Sequence, residues 1–167
     1  MYGRHTQGLH SQKRYHYWDS GKINSDEAIE IFRKIVVGYI SIIEALFIHR
    51  DLKSANIMMK GNGDPVIIDF GYCEMIMGKR PMIQYNVGSP SYMSPESYSK
   101  SRYSEKSDIW ALGVILYEML EGKTLDAGLN IKEYFHQIEK RGVVPNSFEG
   151  MPDLAKELLK LALAVKP

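Results

Sequence analysis

From His49 the chain reads His-Arg-Asp-Leu-Lys-Ser-Ala-Asn, and eighteen residues after Asp51 it reads Asp69-Phe70-Gly71. Two carboxylates, one carboxamide and one ammonium therefore stand at fixed spacing. Moving a γ-phosphoryl group to a hydroxyl needs a carboxylate at the nucleophile, cations to neutralise phosphate charge, and ligands that hold those cations. Asp51, Lys53, Asn56 and Asp69 offer a candidate for each need, and the oxygens of Asn56 and Asp69 suit Mg2+, a hard cation. At about 5% usage per residue type, nine specified positions coincide by chance about once in 10^11 to 10^12 stretches. The pair of motifs is a signal, whereas either one alone would read as an ordinary acidic turn.

The elements that must position these groups are legible as patterns. Asn24 followed by Glu27 is a capping-box-like start, and Ala28, Ile31, Phe32, Ile35, Val36, Tyr39, Ile42, Ile43 and Leu46 recur at helical spacing. One long amphipathic helix follows from this. Residues 57–59 and 66–68 are short β-prone runs on either side of Gly61-Asn62-Gly63-Asp64-Pro65, a strong turn signal. Such a hairpin brings Asn56 and Asp69 together. Residues 106–121 are apolar nearly all round, which predicts a helix buried at the centre of the domain. Two more helices are expected over 130–141, stopped by Gly142, and over 152–165, opened by Pro152 and Asp153. Residues 1–22 show no apolar period, so a boundary near Lys22 and a loosely held N-terminal segment are expected.

Composition excludes several classes. With 167 residues and 44% hydrophobic content the chain can bury one core. A formal net charge of +1 supplies no field that argues for nucleic acid or an anionic membrane as partner. The single cysteine, Cys73, has no partner for a disulfide or a zinc site, which favours a reducing, cytoplasmic setting. It reads as an inert, partly buried residue rather than a reactive thiol. The longest apolar run, near 111–120, is well short of the ~20 residues that span a bilayer. His5, His10 and His16 share no face and make no metal site, and the cationic-aromatic run 14–18 reads as a tail rather than a nucleic-acid binder.

The two motifs, with further landmarks in order, resemble the eukaryotic Ser/Thr protein kinase family. Gly88-Ser89-Pro90-Ser91-Tyr92-Met93-Ser94-Pro95-Glu96 resembles the peptide-docking loop that ends the activation segment, and Asp108-Ile109-Trp110-Ala111-Leu112-Gly113 resembles the start of the central helix. The resemblance covers about 22–167. It implies a mainly α fold, the large C-terminal lobe, in which a helical bundle and a small β-hairpin carry the catalytic and Mg-binding loops. It further implies ATP and Mg2+ as cofactors and protein substrates as partners. Asp51 would orient the substrate hydroxyl and accept its proton, Lys53 would lie beside the transferring phosphate, and Asn56 and Asp69 would hold the metal. Lys53 accompanies Ser/Thr rather than Tyr specificity. Asp108 would hold the backbone of the catalytic loop, Gly71 completes the metal-binding turn, and Arg50 would pair with an activation-segment phosphate. His49 and Phe70 resemble the apolar stack that aligns the lobes, although buried packing alone would also explain both.

Three departures from the pattern matter. No Gly-x-Gly-x-x-Gly occurs, and with it the strand lysine and its glutamate partner, all parts of the smaller lobe, are missing from these residues. The expectation is a large lobe truncated at both ends (residues 1–22 poorly ordered, 23–167 a partial kinase domain), inactive by itself, or alternatively a catalytically silent binding module. The sequence ends before the arginine that in the family pairs with Glu96, so Glu96, if buried, would carry an unpaired charge costing about 3–5 kcal/mol. From Tyr72 to Val87 there is no Ser or Thr, which leaves Tyr72 and Tyr85 as the segment's hydroxyls, so the segment is expected to be controlled by Tyr85 or ordered without phosphate, with Ser89 in a structural contact with Asp51 and Lys53. Gly88 to Met93 also resembles the autophagy-initiating kinases.

Overall fold

The computed structural model describes residues 23–76, 82–83, 87–143 and 148–165. The segment 1–22 and Tyr85 lie outside the described residues. Helix α1 spans Ser25–Glu44, and the Asn24 side chain caps it by accepting the Asp26 N–H at 2.9 Å. It ends two residues before Leu46, which adopts φ 63 and is 60% exposed rather than continuing the buried stripe. The chain turns there because strand β1 (Phe47–Ile48) must pair with β4 (Glu74–Met75).

The expected hairpin forms from β2 (Ile57–Met59) and β3 (Pro65–Ile67), with Ile57 opposite Ile67 and Met59 opposite Pro65. The second strand starts one residue earlier than its β-prone run, since Pro65 terminates the ladder, where no N–H is needed. Two further pairs accompany the hairpin: β1 with β4, and β5 (Met82–Ile83) with β6 (Arg102–Tyr103). Two-residue strands carry no periodicity, so neither pair was legible beforehand. The short helix α2 (Pro95–Lys100), capped by the Ser94 side chain, begins at the end of the stretch 88–96 expected as a docking loop.

Helix α3 (Glu105–Glu121) is the axis of the domain. Val114, Ile115, Leu116 and Met119 are fully buried and Trp110 nearly so, which explains its all-round apolar sequence. Each such side chain contributes about 1.5–3 kcal/mol on burial. It packs against α1 on one side and α5 (Asp153–Ala162) on another. Gly113 permits the second contact, because a Cβ there would sit 2.8 Å from the Ala162 Cβ. Helix α4 (Ile131–Arg141) ends at Gly142 with φ 71. Helix α5 stops three residues short of the expected 165. No helix among the described residues is long and apolar enough to cross a membrane.

Candidate active site

The loop after β1 is held by one carboxylate. Asp108, buried on α3, accepts the His49 N–H on Oδ2 at 2.6 Å and the Arg50 N–H on Oδ1 at 2.9 Å. The Tyr39 hydroxyl of α1 donates to the same Oδ2 at 3.2 Å. Burial pushes the Asp108 carboxyl up, against the pull of the N–H donors. Burial, then the Asp108 charge, raise the Tyr39 phenol, which stays protonated as a donor. Arg50 needs this anchor: it adopts φ 66, a left-handed conformation costing of the order of 1–3 kcal/mol for a side chain with a Cβ. Asp69 shares that conformation, at φ 64.

Past the anchor, Asp51 is 6% exposed and its oxygens are met from three directions. Lys53 Nζ donates to Oδ2 at 2.8 Å, Ser89 Oγ donates to Oδ1 at 3.0 Å, and Asn56 Nδ2 reaches Oδ2 at 3.2 Å. Lys53 Nζ also donates to Ser89 Oγ at 2.9 Å. A carboxylate, an ammonium, a hydroxyl and an amide thus close into one network joining the loop after β1 to the segment that begins at Gly88. Gly88 makes the approach possible: its φ is 101, and a Cβ would fall 2.6 Å from the Arg50 carbonyl oxygen. The Ser54 hydroxyl adds a second tie, bonding the Tyr92 hydroxyl at 2.8 Å while Tyr92 donates to Glu118 Oε2 at 2.6 Å.

The residues present fit a hard divalent cation carried by a phosphate. Asn56 commits its Nδ2 to Asp51, at the main-chain oxygen (2.8 Å) and at Oδ2, which leaves Oδ1 as the ligand atom. The Ile68 N–H bonds the Asn56 carbonyl at 2.9 Å, so both residues stand at the open end of the β2–β3 hairpin. Asp69 is exposed and, among the described residues, makes only a 3.4 Å contact with the Gly71 N–H. Among the described residues no three His, Cys, Asp or Glu side chains form a metal cluster. Two protein oxygens with waters and phosphate oxygens are the usual Mg2+ arrangement, so the site suits metal arriving with nucleotide.

Other sequence-derived candidates fare differently. His49 is fully buried with its Nε2 at 3.2 Å from the Ile68 carbonyl, and its ring lies 5.2 Å from Phe70. Phe70 is 51% exposed, so buried packing accounts for His49 and not for Phe70. Glu96 is only half-buried, which corrects the premise of a buried unpaired charge. It borders a cavity of about 210 Å³ shared with Lys106 and Trp110, whose buried Nε1 has no hydrogen-bond partner among the described residues. Cys73 is half-buried and burial pushes its thiol up, which disfavours the thiolate. Tyr39, Ser54, Tyr92, Tyr103 and Glu118 were missed, since their partners lie far away in sequence and leave no local pattern.

The protein kinase domain family matches residues 6–166. The chain is similar to the SNF1-related protein kinase catalytic subunit alpha KIN12 of Arabidopsis thaliana, 34% identical over 89% of this chain and 30% of that protein. It is similar to the serine/threonine-protein kinase Nek11 of Macaca fascicularis, 36% identical over 90% of this chain and 24% of that protein. It also resembles the serine/threonine-protein kinase SKM1 of Saccharomyces cerevisiae, 36% identical over 62% of this chain and 16% of that protein. The chain therefore spans less than a third of each of these relatives.

Proposed function

Because the chain belongs to the eukaryotic Ser/Thr protein kinase family, we propose that it is the phosphoryl-transfer half of such an enzyme, acting on Ser or Thr hydroxyls of proteins with Mg-ATP. The observation that carries this reading is the closed network of Asp51, Lys53, Asn56 and Ser89 beside the exposed carboxylate of Asp69. Asp51 orients the substrate hydroxyl and takes its proton as the hydroxyl oxygen bonds the γ-phosphorus and the β–γ bridging oxygen leaves with ADP. Lys53, 2.8 Å from Asp51, supplies positive charge where the transferring phosphate passes. Mg2+, when bound, neutralises charge on the phosphate oxygens. Asn56 Oδ1 and Asp69 would hold it on the protein side, and the loop from Ser89 to Glu96 receives the peptide.

We assign residues 23–167 to the large lobe and infer that the 167-residue chain alone is inactive. Its sequence contains no Gly-x-Gly-x-x-Gly phosphate cover, and removing a single preorganised charge-stabilising group already costs about 10^2 to 10^3 in rate. The purified chain is expected to bind Mg-ATP poorly and to transfer no phosphate to a generic Ser/Thr peptide. A product carrying a small lobe ahead of residue 23 is expected to transfer phosphate and to lose that activity with Asp51→Asn. Turnover by the purified chain that disappears with Asp51→Asn would overturn the inactivity, and activity of the larger product surviving that change would overturn the role of Asp51. A catalytically silent binding module is the second reading. It is favoured by an apolar cavity of about 590 Å³ bounded by Ile35, Ile67 and Phe70 beside the site. If cells contain only a ~19 kDa species, that reading gains.

A further inference from the structure

Arg50 precedes Asp51 and its side chain is almost wholly enclosed, 9% exposed. Nη1 contacts the Glu74 carboxylate at 2.5 Å, Nε donates to the Tyr72 carbonyl at 2.6 Å, and the group lies over the Tyr103 ring, 5.7 Å from its centroid. Tyr72 and Glu74 lie just after Asp69-Phe70-Gly71. Tyr103 in turn fixes the far end of the intervening segment: its hydroxyl donates to the Val87 carbonyl at 2.7 Å and accepts the Val87 N–H at 2.9 Å. One side chain therefore ties down both flanks of residues 77–86. An enclosed cationic side chain requires a counter-anion, and between Tyr72 and Val87 no Ser or Thr is present to carry one as a phosphate, the segment's hydroxyls being those of Tyr72 and Tyr85.

We propose that Glu74 is a positioning residue: its carboxylate is the built-in anion that holds Arg50, and through Arg50 the loop bearing Asp51, with no added phosphate. The pair is charge-assisted and partly desolvated, with Glu74 24% exposed, so it is stronger than a surface ion pair. Its reach to Asp51 is short. The Arg50 backbone in the left-handed region is locked at the N–H by Asp108 and at the side chain by Glu74, and both constraints must hold for the next residue to keep its direction. The proposal uses the kinase reading only in calling Asp51 catalytic.

The test is hydrogen exchange on the full 167-residue chain, which involves no nucleotide and so stands or falls separately from the kinase assignment. Glu74→Ala is expected to speed amide exchange in residues 48–52 about tenfold while leaving α3 and α4 unchanged. Inorganic phosphate, compared with chloride at equal ionic strength, is expected to restore protection in that variant and to leave the wild type unaltered. Glu74→Asp should retain most of the protection. If Glu74→Ala does not fold, Glu74→Gln carries the same comparison, since it keeps the volume and removes only the charge. Wild-type exchange in residues 48–52 of the Gln variant would overturn the proposal, as would phosphate protection that is equal in wild type and variant.

Discussion

Asp108→Asn separates the two functions of one buried side chain, filling space and accepting two backbone N–H groups. The carboxylate gives one oxygen to His49 and the other to Arg50, at 2.6 and 2.9 Å. A carboxamide of the same shape keeps one oxygen and presents an NH2 to the second N–H. That N–H loses a charge-assisted bond, about 1.5–3 kcal/mol, and stays buried against a donor at a further cost of about 1–3 kcal/mol. Relief of the charge's own desolvation offsets part of this. The net expectation is about 2–4 kcal/mol, which for a domain of this size lowers the melting temperature by about 5–12 °C. Calorimetry measures the loss, and exchange of the 48–52 amides locates it. The pH dependence gives an independent sign. Burial raises the Asp108 carboxyl, so the wild type is most stable below the ordinary Asp range and loses part of that stability as the pH rises through the folded-state value, while the ionised carboxylate keeps its two N–H bonds. The stability gap between wild type and Asn variant should therefore narrow over that interval. A variant within about 1 kcal/mol of wild type, with unchanged exchange in residues 48–52, would refute the claim that Asp108 holds the loop.

Further expectations follow from single distances. Asp69→Asn should leave the melting temperature unchanged while abolishing transfer in a larger active product, because among the described residues Asp69 makes only a 3.4 Å contact; a fall of several degrees would show a structural role. Asp51→Asn should cost about 1–2 kcal/mol by the same melt, since Lys53 and Ser89 lose a charged acceptor. Gly88→Ala, forcing a Cβ to within 2.6 Å of the Arg50 carbonyl at φ 101, should separate the docking loop from Asp51 and speed exchange near Ser89. Retention of wild-type protection would mean the loop relaxes freely. Glu96→Gln should shift stability by less than about 1 kcal/mol, as suits a half-buried carboxylate, and a larger loss would restore the idea of a buried charge.

The candidate site residues and the elements nearest to them were legible from residue order. Asp51, Lys53, Asn56 and Asp69 fall within nineteen positions, and the turn at 61–65 sets a hairpin whose short range brings two of them together. Helices α1, α3 and α4 announced themselves because a face buried every 3.6 residues, or all round, leaves a period that a reader can count. Residues joined across long loops leave no such trace. Asp108 meets His49 across 59 positions and Ser89 meets Asp51 across 38; both pairings were expected only through the family resemblance, since neither follows from anything local. The two-residue strands escaped notice for the same reason: a strand that short is defined by its partner, not by its own side chains. Arg50 shows the division most plainly. Its place beside Asp51 was written in the chain, whereas its enclosure between Glu74, Tyr72 and Tyr103 arises only when three separate segments pack around one charge that cannot be left unmatched out of water.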